Sequence, residues 1–470
     1  MAIYSFNPFG YEGSLVTVEC DIRKGIPSID IVGLADGAVK ESRARMKSAI
    51  ENSGFALPTE RVLMSLAPVD LKKEGAGFDL PMCLAVLSAK DDYPRSQDAK
   101  VLVMGEVELG GDIRPVRAVY PALCKAAEAG IKYAIVPEGV ETAVPNGIAV
   151  ECAGNLREAY DALCRIDEAE VYGNDFEEES KEEKMETKIE FDEIPENNLD
   201  SVNGMNGLKY AMAVAAAGGH HLLAWGKAGC GKTLALSHFP ELLPHLTVEE
   251  AQSVTRIHSI AGLLEPNEGL KRTRPFRIPH QTCSLEGMCG GGVRCYPGEI
   301  SLAHNGTLFL DEAAEFRSSV LQMLRVPLET GAIQISRAGR TTIYPAKFQL
   351  LMATSPCPCG NYGNPDKVCL CSEKSIRNYW HKFSAPLIDR IAIRFDCNAK
   401  DDEEEFSLKE IREMVSRAFE RQMRRQGKRN QWLNPQEVLE FCKLTDDAKN
   451  KLDEATVHYD LSQNVSVPEY

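Results

Sequence analysis

Apolar stretches alternate with helical patterns along the chain from about residue 199 to residue 397. Two of these stretches, Leu222–Trp225 and Thr307–Leu310, predict buried strands, because each has four consecutive residues suited to a strand interior. A helix rich in alanine is predicted at 205–217, just before the first strand. This alternation is typical of a parallel sheet covered by helices, and it predicts an α/β core.

The segments on either side of this core have different patterns. Residues 1–165 combine short alternating stretches with helical periodicity at 38–53 and 80–88, which predicts an α+β domain. Residues 166–197 are acidic and poor in apolar residues, as in a solvated linker. The pattern after residue 401 is helical. The predicted organisation is an amino-terminal domain at 1–165, a linker at 166–197, a core at 198–400 and a short helical lid at 401–470.

The composition adds limits on location and partners. With 44% hydrophobic and 26% charged residues among 470, the chain is typical of soluble proteins with several domains. It has no apolar run near the roughly 20 residues that a membrane helix needs. Its first residues lack the basic region followed by an apolar stretch that is typical of a secretion signal. A cytoplasmic protein without membrane contact is predicted. The net charge of −16 does not exclude DNA as a partner, because most of the acidic excess lies around the linker.

The stretch that follows the first predicted strand has the pattern G-x-x-x-x-G-K-T, from Gly226 to Thr233. Glycines such as Gly226, Gly229 and Gly231 allow consecutive backbone amides to turn toward phosphates, and the next helix presents its positive end to them. Lys232 is then expected to contact the β- and γ-phosphates of ATP, and the Thr233 hydroxyl to bind Mg²⁺. The sequence therefore predicts a phosphate-binding loop.

The second predicted strand ends in two adjacent acids, Asp311 and Glu312. Asp311 is predicted to hold Mg²⁺ through a water molecule, and Glu312 to polarise the water that attacks ATP. The alternative is a surface Asp-Glu pair without a function. A surface pair does not usually follow four residues that suit a strand interior, so we favour the nucleotide site.

Fifteen cysteines in a cytoplasmic chain are expected to be thiols or metal ligands rather than disulfides. Four of them form the pattern C-x-C-x9-C-x-C: Cys357, Cys359, Cys369 and Cys371. Two thiol pairs closed by a turn suit a tetrahedral Zn²⁺ site. The C-x-C spacing is tighter than the usual C-x2-C, so ordinary thiols remain the alternative.

From 199 to 396 the chain resembles the magnesium-chelatase-like branch of the AAA+ ATPases, and specifically the competence protein ComM family. The resemblance rests on TRIHS at 255–259, RPFRIPH at 274–280, GGG at 290–292, PGEISLAHNG at 297–306 and PCPCG at 356–360, with LAPVDLKKEG at 66–75 in the amino-terminal domain. It implies an ATPase that forms a homo-oligomeric, hexameric ring. Some members of the family act as DNA branch-migration helicases.

The resemblance also implies roles for three arginines. Alternating residues on either side of a glycine-containing turn predict a hairpin at 332–344, and the corresponding hairpin of related ATPases faces the pore of the ring. Arg337 and Arg340 would contact DNA phosphates there, and the alternative is a solvent-exposed turn. Arg390 matches the arginine finger, which acts on the γ-phosphate bound by the neighbouring subunit. The alternative for Arg390 is a surface pair with Asp389.

The amino-terminal domain resembles the proteolytic domain of Lon-type proteases, which has a ribosomal S5-like fold. The matching segments are GEVELGGDIRP at 105–115, AAEAGI at 126–131 and IVP at 135–137. The stretch that would hold the nucleophilic serine, 73–81, contains none, and Tyr120 stands where the family has its lysine. An acyl-enzyme route needs both groups. We therefore predict a docking or assembly module without peptidase activity.

Two departures from the family concern hydrolysis. Ser355 occupies the position of an asparagine that orients the attacking water, and a hydroxyl is shorter than an amide. The lid is expected to be cut short, with Asn464 in place of a second sensor arginine. The favoured function is ATP hydrolysis coupled to DNA remodelling or branch migration. The alternatives are a nucleotide-binding scaffold with impaired hydrolysis and a magnesium-chelatase-type motor that acts on a protein partner, which the amino-terminal domain disfavours.

Overall fold

The computed structural model describes residues 1–34, 37–69, 71–73, 75–90, 99–139, 144–172, 189–265, 268–337, 340–364, 367–398 and 405–459. Two main sheets organise this part of the chain, one with seven strands and one with five. Within these ranges, no helix has the combination of length and apolar character that crossing a bilayer requires.

The seven-stranded sheet belongs to the amino-terminal domain. The strands of this domain are β1 Ala2–Asn7, β2 Ser14–Arg23, β3 Ser28–Val32, β4 Arg61–Ala67, β5 Lys100–Val103, β6 Glu106–Val107, β7 Ile113–Arg114, β8 Tyr133–Pro137 and β9 Ala149–Ala153. Its helices are α1 Gly37–Asn52, α2 Asp79–Lys90, α3 Val119–Glu128 and α4 Leu156–Tyr172. The sheet order is β3-β4-β2-β1-β5-β8-β9, with parallel pairs at β3-β4, β1-β5, β5-β8 and β8-β9. The sheet is therefore mixed, which the α+β pattern alone did not specify.

Two helices of this domain match the predicted periodicity closely. α1 covers 37–52 where 38–53 was predicted, and α2 extends the predicted 80–88 by one residue at its start and two at its end. α4 continues to Tyr172, past the domain boundary predicted at residue 165, because Ile166 still packs in the core of this domain. Residues 173–188 of the predicted linker lie outside the described residues.

The five-stranded sheet forms the core of the next part of the chain. Its strands and the short strands around it are β10 Leu222–Trp225, β11 Phe276–Arg277, β12 Gly290–Gly291, β13 Tyr296–Pro297, β14 Thr307–Leu310, β15 Ala332–Arg337, β16 Arg340–Pro345, β17 Gln349–Thr354 and β18 Ile393–Asp396. The helices are α5 Asn206–Gly218, α6 Lys232–Ser237, α7 Val248–Ala261, α8 Leu285–Cys289, α9 Glu299–Leu302, α10 Ser318–Met323, α11 Arg325–Thr330, α12 Glu373–Trp380 and α13 Ala385–Ile388. Both predicted strands, β10 and β14, have the predicted bounds, and the predicted parallel sheet is confirmed.

The order of this sheet determines which loops meet. The strands lie in the order β11-β14-β17-β10-β18, and every neighbouring pair is parallel. Trp225 at the end of β10 is opposite Thr354 of β17 and Asp396 of β18. The loops that leave β10, β14, β17 and β18 therefore emerge at the same edge, which is where open α/β sheets bind ligands.

Three further helices follow the core: α14 Leu408–Gln426, α15 Pro435–Phe441 and α16 Asp446–Tyr459. A capping box of Ser407 and Glu410 begins α14, since each side chain bonds to the backbone of the other residue. The apolar face of α14 buries Leu408, Ile411 and Val415 in one cluster with α5. The predicted lid thus begins with a helix that packs on the core. Asn464 lies outside the described residues.

The amino-terminal domain contacts the core through the turn between β1 and β2. The amide of Tyr11 donates to Thr342 Oγ1 in β16 at 3.0 Å, and the Tyr11 ring packs edge-on to Tyr344 with centroids 5.9 Å apart. The Arg256 guanidinium of α7 lies over the Tyr11 ring, 4.6 Å from its centroid. One buried apolar cluster also includes residues of both sheets, such as Leu102 and Leu223. The two parts therefore share a packed interface.

Candidate functional site

The loop between β10 and α6 contains the predicted phosphate-binding glycines. Gly229 and Gly231 have φ angles of 78° and 98°, in the left-handed region that favours glycine. Gly226 lies against the neighbouring strand end, where an added Cβ would be 2.9 Å from Cβ of Cys397. These positions need glycine for the loop to keep its path. Such a path is the one that lets successive amides converge on an anion.

Lys232 and Thr233 begin α6 at the end of this loop. The Lys232 ammonium is buried and donates to the carbonyls of Gly226 and Lys227 at 2.8 and 3.0 Å. The Thr233 hydroxyl donates to Asp311 Oδ1 at 2.9 Å. The structure therefore brings together the lysine, the hydroxyl and the carboxylate that the sequence predicted, although Asp311 follows β14, which lies two strands away from β10.

Glu312 has an unusual backbone at the end of β14. Its φ angle is 47°, in the left-handed region, and its amide donates to Asp311 Oδ1 at 3.0 Å. Left-handed geometry is unfavourable for a glutamate and costs on the order of 1 kcal/mol or more. The bend keeps the Asp311 carboxylate against Thr233 while the Glu312 side chain is exposed.

Ser355 follows β17 at the same edge of the sheet. It is half-buried, and the residue before it, Thr354, accepts a hydrogen bond from the Gly226 amide at 3.4 Å through its carbonyl. A Cβ added to Gly360 would lie 3.4 Å from Cβ of Ala228 and 3.8 Å from the Ser355 Oγ. The PCPCG turn therefore packs against the phosphate loop, close to Ser355.

The four cysteines of the C-x-C-x9-C-x-C pattern form one cluster. The sulfur of Cys357 is 3.4 Å from that of Cys359 and 3.7 Å from that of Cys369, and the sulfurs of Cys359 and Cys369 are 3.6 Å apart. Cys371 completes the group, with all four sulfurs within 4.8 Å of one another. Thiolates about 2.3 Å from a tetrahedral zinc ion lie about 3.8 Å apart. The donor set and its spacing therefore fit Zn²⁺.

Arg390 follows α13 and lies against α11. Its Nη2 donates to Glu329 Oε2 at 2.6 Å, and its Nη1 donates to the carbonyl of Pro386 at 2.7 Å. Its ionic partner is therefore Glu329 rather than Asp389, the partner in the alternative interpretation. These contacts hold Arg390 at α11 and α13 and do not bring it to Lys232 of the same chain.

Arg337 and Arg340 lie opposite each other at the tip of the β15-β16 hairpin, and the predicted hairpin is confirmed. The two residues between them, 338 and 339, lie outside the described residues. Arg337 forms an ion pair with Glu286 of α8, while the Arg340 guanidinium lies 4.9 Å from the Phe9 ring centroid of the amino-terminal domain. Both side chains therefore have partners within the chain, although Arg337 is exposed, as in the alternative of a solvent-exposed turn.

Two residues that the sequence analysis missed lie next to the phosphate loop. Asn398 Oδ1 accepts a hydrogen bond from the Lys227 amide at 3.0 Å, and the Cys397 amide donates to the Trp225 carbonyl at 2.8 Å. Both residues follow β18, which pairs with β10. The available signal was the short strand at 393–396, but its position beside β10 is a long-range pairing that the local pattern does not specify.

Comparison with known proteins gives three family matches along the chain. The family described as "Magnesium chelatase, subunit ChlI" matches residues 198–405. The family "Subunit ChlI of Mg-chelatase" matches residues 18–140, and "Magnesium chelatase, subunit ChlI C-terminal" matches residues 405–465. The three matches lie one after another along the chain. Residues 18–140 and 198–465 are therefore similar to the same group of proteins.

Individual relatives extend this similarity over nearly the whole chain. The uncharacterized protein YifB of Escherichia coli is 35% identical over 462 residues, which cover 96% of this chain and 88% of YifB. The competence protein ComM of Haemophilus influenzae is 35% identical over 455 residues, covering 94% and 87%. The DNA repair protein RadA of Mycolicibacterium smegmatis is 29% identical over 169 residues, or 34% of this chain. The chain belongs to the magnesium-chelatase-like family that includes YifB and ComM.

Proposed function

We propose that this protein is an AAA+ ATPase that binds Mg-ATP and couples its hydrolysis to the remodelling or branch migration of DNA. The observation that carries the proposal is the hydrogen bond of 2.9 Å between the Thr233 hydroxyl and Asp311 Oδ1, directly beside the buried Lys232. A hydroxyl and a carboxylate in this arrangement are suitable oxygen ligands for Mg²⁺, with water molecules and phosphate oxygens as the others.

Each residue around the loop has a role in this proposal. The loop amides from Gly226 to Lys232 bind the phosphates, and the Lys232 ammonium exchanges its loop carbonyls for phosphate oxygens. Asp311 holds the metal through water, and Glu312 polarises the attacking water from the strained turn. Mg²⁺, when bound with ATP, neutralises phosphate charge and fixes the phosphate geometry.

Assembly is a second part of the proposal. Arg390 pairs with Glu329 in its own chain, and its resemblance to the family's arginine finger implies action on the γ-phosphate in the site of a neighbouring subunit. Such a finger stabilises charge in the transition state and makes hydrolysis depend on a homo-oligomer, which we propose to be a hexameric ring. We place the protein in the cytoplasm. The amino-terminal domain at 1–165, with its Lon-like character and without peptidase residues, would act as a docking module on the core at 198–400.

DNA is the proposed partner because of the hairpin and of two relatives. Arg337 and Arg340 occupy paired positions of the β15-β16 hairpin, which suits contacts to phosphates that do not depend on base sequence. The relatives ComM and RadA are named for competence and DNA repair. Binding would exchange the Glu286 and Phe9 contacts of these arginines for phosphate contacts.

The test of this function is the ATPase rate with and without DNA. We expect single-stranded or branched DNA to raise turnover roughly several-fold, because contact with the phosphate backbone would order the hairpin. The effect should weaken as the salt concentration rises. Replacement of both Arg337 and Arg340 by alanine should abolish the stimulation and leave the basal rate. Arg377→Ala on α12 changes an exposed arginine outside the hairpin and is the control. A rate that DNA leaves unchanged would favour a motor that acts on a protein partner.

A nucleotide-binding scaffold with little turnover is the second candidate. The observation in its favour is Ser355, which stands at the end of β17 beside the phosphate loop with a shorter side chain than the family's asparagine. A hydroxyl there reaches less far toward an attacking water. This candidate differs from an ATPase in one measurable property, since it binds ATP without releasing phosphate.

We also propose that the cysteine cluster binds a structural zinc ion. The purified protein is then expected to contain about one zinc per chain by emission spectrometry, since the four sulfurs match a closed tetrahedral site. Cys369→Ser should lower the zinc content and reduce the melting temperature measured without nucleotide. Cys442→Ser, which changes a buried thiol directly after α15 and outside the cluster, is the control and should keep the zinc. Protein that folds fully without zinc would contradict the proposal.

A further inference from the structure

Two cysteines lie side by side at the phosphate loop, outside the four-cysteine cluster. A Cβ built on Gly226 would be 2.9 Å from Cβ of Cys397 and 3.5 Å from Sγ of Cys230, so both side chains lie beside the same backbone position. Cys230 belongs to the loop itself, and Cys397 follows β18. The two side chains also interact electrostatically, since each shifts the pKa of the other.

The surrounding backbone keeps this pair in place. The Cys397 amide donates to the Trp225 carbonyl at 2.8 Å, which fixes Cys397 at the end of the β10-β18 ladder. The next residue, Asn398, accepts from the Lys227 amide at 3.0 Å and ties the phosphate loop to the same turn. Both thiols are half-buried, so a small oxidant can approach them. The Lys232 ammonium lies 3.6 Å from the Cys230 sulfur.

We propose that Cys230 and Cys397 form a reversible disulfide under oxidation by a peroxide, and that this bond closes the phosphate loop to nucleotide. The Cys230 thiolate would attack one oxygen of hydrogen peroxide, breaking the O–O bond to give a sulfenic acid and hydroxide. The Cys397 sulfur would then attack the Cys230 sulfur, forming the S–S bond as its proton leaves with the hydroxyl as water. A dithiol reductant reverses the reaction. This inference rests on the proposed binding of nucleotide at the loop.

The electrostatics of the pair favour Cys230 as the sulfur that reacts first. The hydrogen bond from Cys397 and the positive charge of Lys232 lower the pKa of the Cys230 thiol well below its usual value. Hydrogen bonding to Cys230 and burial raise the pKa of Cys397, which keeps that sulfur protonated until the second step. Because the thiolate is the nucleophilic form of cysteine, oxidation should begin at Cys230.

The effect on nucleotide follows from the place of Cys230 in the loop. Its backbone lies between Gly229 and Gly231, both of which need left-handed geometry for the loop path. A bond to Cys397 draws this segment toward β18 and restricts the amides that would turn toward phosphate. Bound phosphates in turn add negative charge beside Cys230 and compete for Lys232, which disfavours the thiolate. The disulfide should therefore raise the Kd for nucleotide, and bound nucleotide should lower the equilibrium constant for disulfide formation by the same factor.

The test compares reduced and oxidised full-length protein. After treatment with a small molar excess of hydrogen peroxide, peptide mapping by mass spectrometry should find Cys230 linked to Cys397. The Kd of a fluorescent ADP analogue should rise by about tenfold or more and return to its starting value with dithiothreitol. Saturating Mg-ADP should slow the alkylation of Cys230 in the reduced protein.

Variants separate this pair from the other thiols. Reduced Cys397→Ser should bind the analogue like the wild type, but peroxide should no longer cause the reversible change of about tenfold in Kd. Cys124→Ser, which removes a half-buried thiol in α3, should keep that change. Oxidation of the four-cysteine cluster would affect the wild type and Cys397→Ser alike. If the oxidised wild type binds nucleotide as tightly as the reduced form, or the map shows other pairs, the inference is wrong. If the reduced wild type binds no nucleotide, the proposed function fails instead.

Discussion

Replacement of Lys232 by alanine is expected to raise the Kd for Mg-ATP by about 100-fold, as the loss of a buried, charge-assisted contact to phosphate requires. Lys232 is 8% exposed and its ammonium lies among loop carbonyls, so the variant loses this positive charge beside the phosphates. Isothermal titration calorimetry with a slowly hydrolysed ATP analogue measures the change directly.

The control for this variant is Lys374→Ala, the same chemical change at an exposed lysine of α12. It should leave the Kd of the ATP analogue within error, and both proteins should unfold at temperatures near that of the wild type. If Lys232→Ala binds the analogue as tightly as Lys374→Ala does, the assignment of the phosphate loop is wrong, and with it the proposed motor.

Glu312→Gln is expected to separate binding from hydrolysis. The amide keeps the size of the carboxylate but cannot accept a proton, so turnover should fall by about 100-fold or more while the Kd for ATP stays nearly unchanged. The left-handed turn at Glu312 is a property of the backbone, and glutamine can occupy it at the same cost. Phosphate release at saturating ATP measures turnover, and calorimetry measures binding.

A second glutamate near the same strand end gives the matched control. Glu315→Gln makes the identical change on the exposed face of the short turn at 313–315, and its turnover should equal that of the wild type. Equal rates in all three proteins would remove Glu312 from the mechanism. A wild type that binds ATP but releases no phosphate would favour the scaffold, in which Ser355 has lost the function of the sensor.

The local parts of the fold could be predicted from the sequence. β10 and β14 have the predicted bounds because four residues suited to a strand interior stand between helical and polar segments in each case. The β15-β16 hairpin was predicted because its alternating residues flank a turn with glycine. The motifs predicted that Thr233 and Asp311 serve the same Mg²⁺ ion, and their side chains are hydrogen-bonded in the structure because parallel strand ends meet at one edge of a sheet.

The parts that could not be predicted depend on pairings between distant segments. Cys397 is a neighbour of the phosphate loop only because β18 pairs with β10, and nothing in the residues near 397 specifies that partner. Arg337 is exposed, as one of its two interpretations expected, but its ion pair with Glu286, 51 residues earlier in the chain, could not be predicted. Side-chain partners of this kind depend on the packed arrangement of the whole domain.

If the protein is the proposed motor, the interface around Tyr11 has a mechanical consequence. Tyr11 is bonded to Thr342 on the hairpin, and Arg256 of α7 covers its ring. Any movement of the hairpin relative to α7 must therefore either move the amino-terminal domain as well or break the Tyr11 contacts with Thr342 and Arg256 in every cycle. Part of the free energy of each ATP would then be used to move the amino-terminal domain or to break its contacts, and only the remainder would act on the substrate in the pore.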